Sequence, residues 1–275
     1  FCAAMERRLA VPTAIAAGCD IFLFNKDLDE DIRFMKEGIA NGILTPERID
    51  EAVTRILAMK AALHLPEKQT EARLVPPKED LAVLKGEKHV EWAKQAADNG
   101  ITLVKDTADN LPLRPEATPR LLLQVIGPYE EANTQITSTV IPLLEKAGFR
   151  VTLYQPEDFT TGFESVSQFR SKYDAVLYLA NVENRSNATT TRINWYTFFG
   201  LGNNIPWFVD EVPTIFASLG NPYHLMDVPM VKTYINAYDN HEAVIEAFVA
   251  KLIGKSDFKG ESPIDPYCGL MDARR

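Results

Sequence analysis

The chain predicts an α/β fold built on a mostly parallel sheet, and three observations carry that expectation. Short apolar runs alternate with stretches of helical period from Arg120 to Ile253. Two of these runs, RLLLQVIG from Arg120 and the stretch from Asp174 to Ala180, stay apolar along nearly their whole length, as strands covered on both faces do. The third is AIAAGCDIFLF, Ala14 to Phe24, in which a glycine stop is followed by an apolar run led by Asp20. It reads as a buried parallel strand at Cys19 to Phe24 whose neighbours are not supplied nearby, because the residues after it read as helix and linker.

Taken in order, Pro12 suits the first position of a short helix ending at Gly18. Asp29 is placed to cap a helix carrying Ile32, Met35 and Ile39, with Asn41-Gly42 as its stop. Thr45 and Pro46 open a further helix, on which Ile49, Val53, Ile56, Leu57, Lys60 and Leu63 trace one face. Residues 67–86 hold prolines without a sustained period and read as a linker, dividing an N-terminal part, 1–66, from a domain spanning 87–275. That domain opens with a helix from Lys88 to Asn99 and a strand at Ile101 to Lys105. The proline-bounded Leu111-Pro112-Leu113 is assigned to a sheet edge. Strand Arg120–Gly127, a helix from about Glu130 to Ala147, strand Arg150–Tyr154, a helix near Phe163 to Lys172 and strand Asp174–Ala180 then follow the βαβ rhythm. Asn181 to Gly202 is too long for a connector and reads as a functional loop or a partly helical excursion. Strands at Thr214–Leu219 and Lys232–Tyr238 and a helix from His241 to Ile253 complete the pattern before an irregular tail.

Composition narrows the function classes. The chain is 46% hydrophobic and 24% charged with a mean hydropathy of -0.14, and no apolar run is long enough to span a bilayer. A net charge of -9 without a basic cluster argues against nucleic acid and anionic membranes as partners. The cysteines Cys2, Cys19 and Cys268 are odd in number and lack the spacing of a disulfide framework or zinc site, which fits a reducing cytoplasm; no metal or cofactor is expected. The chain starts at Phe1 with no signal-peptide pattern, so it reads as a fragment.

Few residues mark chemistry. Asp20 reads as a structural carboxylate rather than a catalyst, because strand-borne chemistry gathers at carboxyl ends and Asp20 stands at the start of its run. Asn25 and Lys26 follow that run, where they line a ligand pocket or simply supply loop polarity. His64, His89 and His241 sit at helix ends. His224, in SLGNPYHLMDVP, follows a strand end, where open α/β sheets bind ligands, although a turn histidine satisfying backbone groups is the favoured reading. Arg192, Asn194, Trp195, Tyr196, Trp207 and Phe208 combine stacking and hydrogen-bonding groups around the long loop, a composition that suits sugars and, more readily, domain interfaces. The candidate substrate-binding set is therefore Asn25, Arg192, Trp195 and His224. Asn184 and Asn187 match the N-glycosylation pattern by chance on this reading. No HExxH, GxSxG or glycine-rich phosphate loop is present.

Three stretches together resemble glycoside hydrolase family 3, in the branch of bacterial β-N-acetylhexosaminidases and β-glucosidases that carry a second domain. AIAAGCDIFLF with DEDIRFMKEGIANGILTPERIDEAVTRILAMKAALHL resembles the last strand of that family's barrel and the helices after it. WAKQAADNGITLVKDTADNLPL is similar to the entry into its α/β sandwich, and FASLGNPYHLMDVPMVKTYINAYDNHEAVIEAFVAKLIG to the late strand, turn and last helix of that sandwich. The segment closing the domain departs from the family as GESPIDP. The resemblance implies that 1–66 is a remnant of a (β/α)₈ barrel, followed by a doubly covered α/β/α sandwich. It also implies a retaining mechanism, with an aspartate nucleophile and a histidine–aspartate acid/base. Neither motif occurs in the chain, so no catalytic residue is assigned, and both are expected upstream of Phe1. The expected parent hydrolyses terminal β-linked N-acetylglucosamine or β-glucose without a cofactor, its partner being a small carbohydrate. A phosphorylase on the same scaffold and a non-catalytic sugar-binding or scaffolding module are the alternatives. Lacking partner strands, Cys19 to Phe24 is expected to fold against a neighbour, turn helical or pair with a second copy, and a homodimer through the exposed remnant is the matching assembly.

Overall fold

The computed structural model describes residues 5–155, 164–184, 191–195, 197–198, 201–202 and 204–275. The chain divides into two units, Phe1–Val83 and Leu84–Arg275. The first is helical. It consists of α1 (Arg7–Ala16), α2 (Leu28–Ala40), α3 (Pro46–Ala62) and the short α4 (Leu65–Thr70).

Helix α2 is capped by Asp27, not Asp29: the Asp27 carboxylate accepts from the Glu30 amide at 2.8 Å, which leaves Asp29, Glu30 and Asp31 in the first turn where the helix dipole favours acids. Thr45 caps α3 by accepting from the Arg48 amide at 3.2 Å, and Pro46 takes the first position, where no N–H is needed. Pro12 lies inside α1 rather than at its start. Its ring is used for packing, since a Cβ added at Gly38 of α2 would fall 2.3 Å from the Pro12 Cβ; only glycine admits so close an approach.

Residues 19–24 are not a strand. They adopt neither helix nor sheet, and Leu23 and Phe24 are 70% and 97% exposed. A parallel strand exists only through neighbours on its edges, and no described residue provides a ladder. The chain entering this stretch is held by Arg48 instead, whose Nε donates to the Ile15 carbonyl at 3.0 Å and whose Nη2 donates to the Cys19 carbonyl at 3.1 Å. The face traced on α3 is real as a helix face, yet Val53, Leu57 and Leu63 on it are exposed and only Ala52 of the helix is buried. Residues 67–86 are partly helical, through the end of α4 and a 3₁₀ turn at Lys78–Val83, and neither element buries a residue.

The second unit is the α/β fold. It contains α5 (Glu87–Gly100), β1 (Thr102–Asp106), β2 (Arg120–Ile126), α6 (Glu130–Ala147), β3 (Arg150–Leu153), α7 (Val166–Lys172) and β4 (Ala175–Ala180). A two-residue antiparallel pair, β5 (Thr197–Phe198) and β6 (Leu201–Gly202), precedes β7 (Thr214–Ser218), β8 (Thr233–Asn236) and α8 (Glu242–Leu252). The six-stranded sheet runs β1-β8-β7-β4-β2-β3, parallel except where β1 meets β8.

Side chains alternate between the two faces along each strand. Leu121, Leu123, Leu177, Leu179, Ile215 and Ile235 face a layer formed by α5, α6 and α8. Leu122, Val176, Tyr178, Phe216 and Tyr234 face a layer made of α7 and irregular chain. On this second face an aromatic row crosses the sheet: Phe169 stacks on Phe208 at 4.3 Å, Tyr178 on Phe216 at 5.6 Å and Phe216 on Tyr234 at 5.8 Å between ring centroids. Such pairs contribute about 0.5–1.5 kcal/mol each beyond area burial.

Leu111-Pro112-Leu113 is not an edge strand. The amides of Asn110 and Leu111 donate to the Asp106 carboxylate at 3.0 and 3.2 Å, and the Leu113 amide donates to the Leu252 carbonyl at 2.8 Å, so the segment turns beneath α8 and β1 takes the edge. The tail is tied down by the buried Lys251, whose ammonium donates to Asp98 Oδ1 at 3.0 Å and to the Asp257 carbonyl at 2.6 Å. The Lys259, Ser256 and Lys251 donors together hold the Asp98 carboxyl well below the usual carboxylate range.

Candidate functional site

Strand β2 is followed through α6 by β3 on one side, while the next strand, β4, pairs on the other side of β2. The carboxyl ends of β2 and β4 therefore diverge into loops on opposite faces, the topological switch point at which open α/β sheets bind ligands. A cavity of about 410 Å³ lies there, lined by Ile126, Gly127 and Pro128 after β2, Val182 after β4, and the segment Arg192-Ile193-Asn194.

Gly127, which lines this cavity, is packed against a chain of carboxamides. A Cβ on Gly127 would lie 2.6 Å from Asn133 Oδ1 and 2.7 Å from the Asn181 carbonyl, so glycine is required for the close approach. Asn133 Nδ2 donates to the Gly127 carbonyl at 3.0 Å, Asn181 Nδ2 donates to Asn133 Oδ1 at 3.1 Å, and Asn240 Nδ2 donates to Asn181 Oδ1 at 2.8 Å. One chain of amides thus joins the segments following β2, β4 and β8.

The wall is set by the 3₁₀ turn His224–Asp227. The Thr191 carbonyl, which can only accept, faces His224 Nε2 at 2.7 Å, so that nitrogen carries the hydrogen; Nδ1 meets Ser218 Oγ at 2.8 Å. Asp227 Oδ2 accepts from the Ile193 amide at 3.1 Å, and Oδ1 takes both Nε and Nη2 of Arg192. Burial pushes the His224 imidazole below its usual pKa, against the opposing effects of the Thr191 carbonyl and Asp227. Asp227 raises Arg192 further.

The structure places the candidate residues differently. Arg192 lines the cavity. His224 is buried behind the wall and satisfies a backbone carbonyl there. Trp195 meets Tyr178 edge-on at 6.4 Å, against the aromatic face of the sheet. Asn25 belongs to the first unit, in a groove of about 420 Å³ with Val11, Leu28 and Asp31 among its walls. Trp207 and Phe208 pack on Phe169 within the second unit; Tyr196 and Asn187 lie outside the described residues. Asp20 is salt-bridged to Arg48 at 2.6 Å and Arg55 at 2.8 Å, and the Arg55 and Arg48 hydrogen bonds lower its pKa, as befits a structural carboxylate. Sequence reasoning did not select Gly127, Asn133, Asn181, Asn240 or Asp227. A glycine-proline pair ending an apolar strand was the available signal for the first; the amides carry no pattern of their own. Among the described residues, no group of three or more His, Cys, Asp or Glu is arranged to hold a metal ion.

No protein-family model matches the chain. Over 274 residues, 98% of its length, it is 42% identical to a beta-N-acetylglucosaminidase/beta-glucosidase of Cellulomonas fimi. The solved structure of the beta-glucoside phosphorylase BglX matches 99% of the chain at 42% identity and a TM-score of 0.72. The chain belongs to glycoside hydrolase family 3. It spans about half of each of these relatives, 48% in both cases. A family 3 beta-N-acetylglucosaminidase of Paenibacillus, 19% identical, shares the fold over 92% of the chain and 46% of its own length, with a TM-score of 0.53. Among the described residues of this family 3 chain, no helix is long and apolar enough to cross a membrane.

Proposed function

We propose that the chain works as part of a family 3 enzyme that removes terminal β-linked N-acetylglucosamine or β-glucose from small cell-wall or chitin-derived sugars, by hydrolysis with retention. The observation that carries this reading is 42% identity, over nearly the whole chain, to a protein named for both activities. The switch-point cavity supports it, since it sets guanidinium and amide donors from Arg192 and Asn194 among the apolar surfaces of Ile126, Pro128, Val182 and Ile193. A pyranose offers the matching surface: hydroxyls at its rim and C–H bonds on its faces. In this proposal the nucleophile and acid/base come from polypeptide outside these 275 residues, and residues 1–66 are the end of the barrel that bears them. A cytoplasmic setting belongs to the same reading and agrees with Cys19 and Cys268, which are exposed and unpaired.

Phosphorolysis is the second reading, favoured by the 42% identity to a beta-glucoside phosphorylase. The two differ in the acceptor at the anomeric carbon. Turnover of 4-nitrophenyl β-N-acetylglucosaminide and β-glucoside is to be measured with and without inorganic phosphate, for the 275-residue chain and for the same polypeptide extended at its amino end. The expected outcome is cleavage to free sugar, independent of phosphate, by the extended protein and none by the chain alone. Formation of sugar 1-phosphate only in the presence of phosphate selects phosphorolysis. Turnover by the pure chain refutes the placement of the catalytic groups.

A further inference from the structure

Among the described residues lining the switch-point cavity, Arg192 is the only charged one. A lone guanidinium in such a place is ordinarily an anion site, because its planar donors match phosphate and carboxylate. Here the guanidinium is already engaged. Its Nε and Nη2 both reach Asp227 Oδ1, and Asp227 Oδ2 is held by the Ile193 amide, so the carboxylate is fixed against the cavity wall. The Asp227 side chain is 7% exposed, whereas that of Arg192 is 57% exposed. The pair therefore presents donors outward with its charge balanced from behind.

We propose that Asp227 is a positioning residue that makes this cavity a site for an uncharged, hydroxyl-bearing ligand and excludes anions from it. The proposal rests on the carbohydrate reading above and adds what the wall selects. An anion approaching Arg192 meets the Asp227 carboxylate directly behind it, and repulsion cancels the attraction. A neutral hydroxyl meets no such opposition; it accepts from the Arg192 guanidinium and exchanges hydrogen bonds with Asn194. Asp227 also fixes the register of the wall, because one carboxylate binds both the side chain of Arg192 and the next backbone amide. The imidazole of His224 fastens the preceding residue, Thr191, from the same turn.

The test is calorimetric titration of the 275-residue chain with N-acetylglucosamine and, separately, with inorganic phosphate at constant ionic strength. Wild type is expected to bind the sugar at millimolar concentration and to show no phosphate binding. Asp227→Asn keeps an oxygen for the Ile193 amide and removes the charge; it is expected to gain phosphate affinity at least tenfold while sugar affinity falls a few-fold. Adding Arg192→Gln to Asp227→Asn abolishes the gain, and Asp227→Glu restores exclusion of phosphate. If Asp227→Asn does not fold, Arg192→Gln alone carries the test, weakening sugar binding without exposing a phosphate site. Phosphate binding by wild type that Arg192→Gln removes, unchanged phosphate affinity in a folded Asp227→Asn protein, or absence of sugar binding by wild type each overturns the proposal. Aryl-glycoside cleavage by the extended protein is scored separately, so loss of that activity with charge-switched binding intact refutes the enzyme reading and leaves this one standing.

Discussion

Phe24 and Phe216 are the same residue in two apolar runs of similar appearance, and they end in opposite environments. Phe24 is 97% exposed in a stretch without regular structure, while Phe216 is fully buried in β7 between Tyr178 and Tyr234. The helices of the two units differ far less: α2 and α3 each carry a side-chain N-cap, as α7 does in the sandwich. A helix satisfies its backbone from within its own segment, whereas a strand's hydrogen bonds must come from other segments. In the second unit β7 has β4 on one edge and β8 on the other, with covered faces above and below. Among the described residues, 19–24 have no such ladder.

The largest expected effect follows from that contrast. Phe216→Ala removes the centre of the aromatic row and is expected to cost about 3–5 kcal/mol, whereas Phe24→Ala stays within about 0.5 kcal/mol. Urea unfolding followed by circular dichroism measures both; a cost above about 1 kcal/mol for Phe24 would show that it is covered in solution and would erase the difference.

A smaller effect probes the packing at Gly127. Gly127→Ala drives a methyl group toward Asn133 and the Asn181 carbonyl and is expected to cost about 1–3 kcal/mol. In the first unit Gly42→Ala meets open space, although its φ of +71° leaves it a conformational cost of about 1 kcal/mol. Equal midpoints for the two variants would mean that the amide chain yields easily.

The smallest effect is on pH. His224 titrates below its usual 6.5 in the folded protein, because burial disfavours the charged ring. Between the folded and unfolded values the unfolded chain binds more protons, so stability rises with pH and is lost progressively as pH falls below about 6.5. The unfolding midpoint is expected to drop by a small amount between pH 7.5 and 5.5, and His224→Gln is expected to flatten this dependence. An unchanged slope in that variant would assign the dependence to other groups.

Much of the sandwich was legible because its strands are continuous apolar runs and its helices carry a clear period. The strand positions Arg120–Ile126, Ala175–Ala180 and Thr214–Ser218 all fall within segments read from pattern alone. Arg192 was selected by composition. Asp227, which neutralises it, was not, since the two lie 35 residues apart and nothing local links them.

The division follows from the range of the interactions. Alone, the sequence determined the α/β class, the capped helices at Thr45 and the residue types gathered near the long loop, because helix caps, glycine stops and apolar periodicity act over a few residues. Only the tertiary structure decided that residues 19–24 take no ladder, that Pro12 packs within α1 against Gly38, that Leu111-Pro112-Leu113 turns under α8, and that Arg192 faces its cavity with its charge already met. Each of these depends on whether a partner distant in sequence is in reach, which only the folded chain decides.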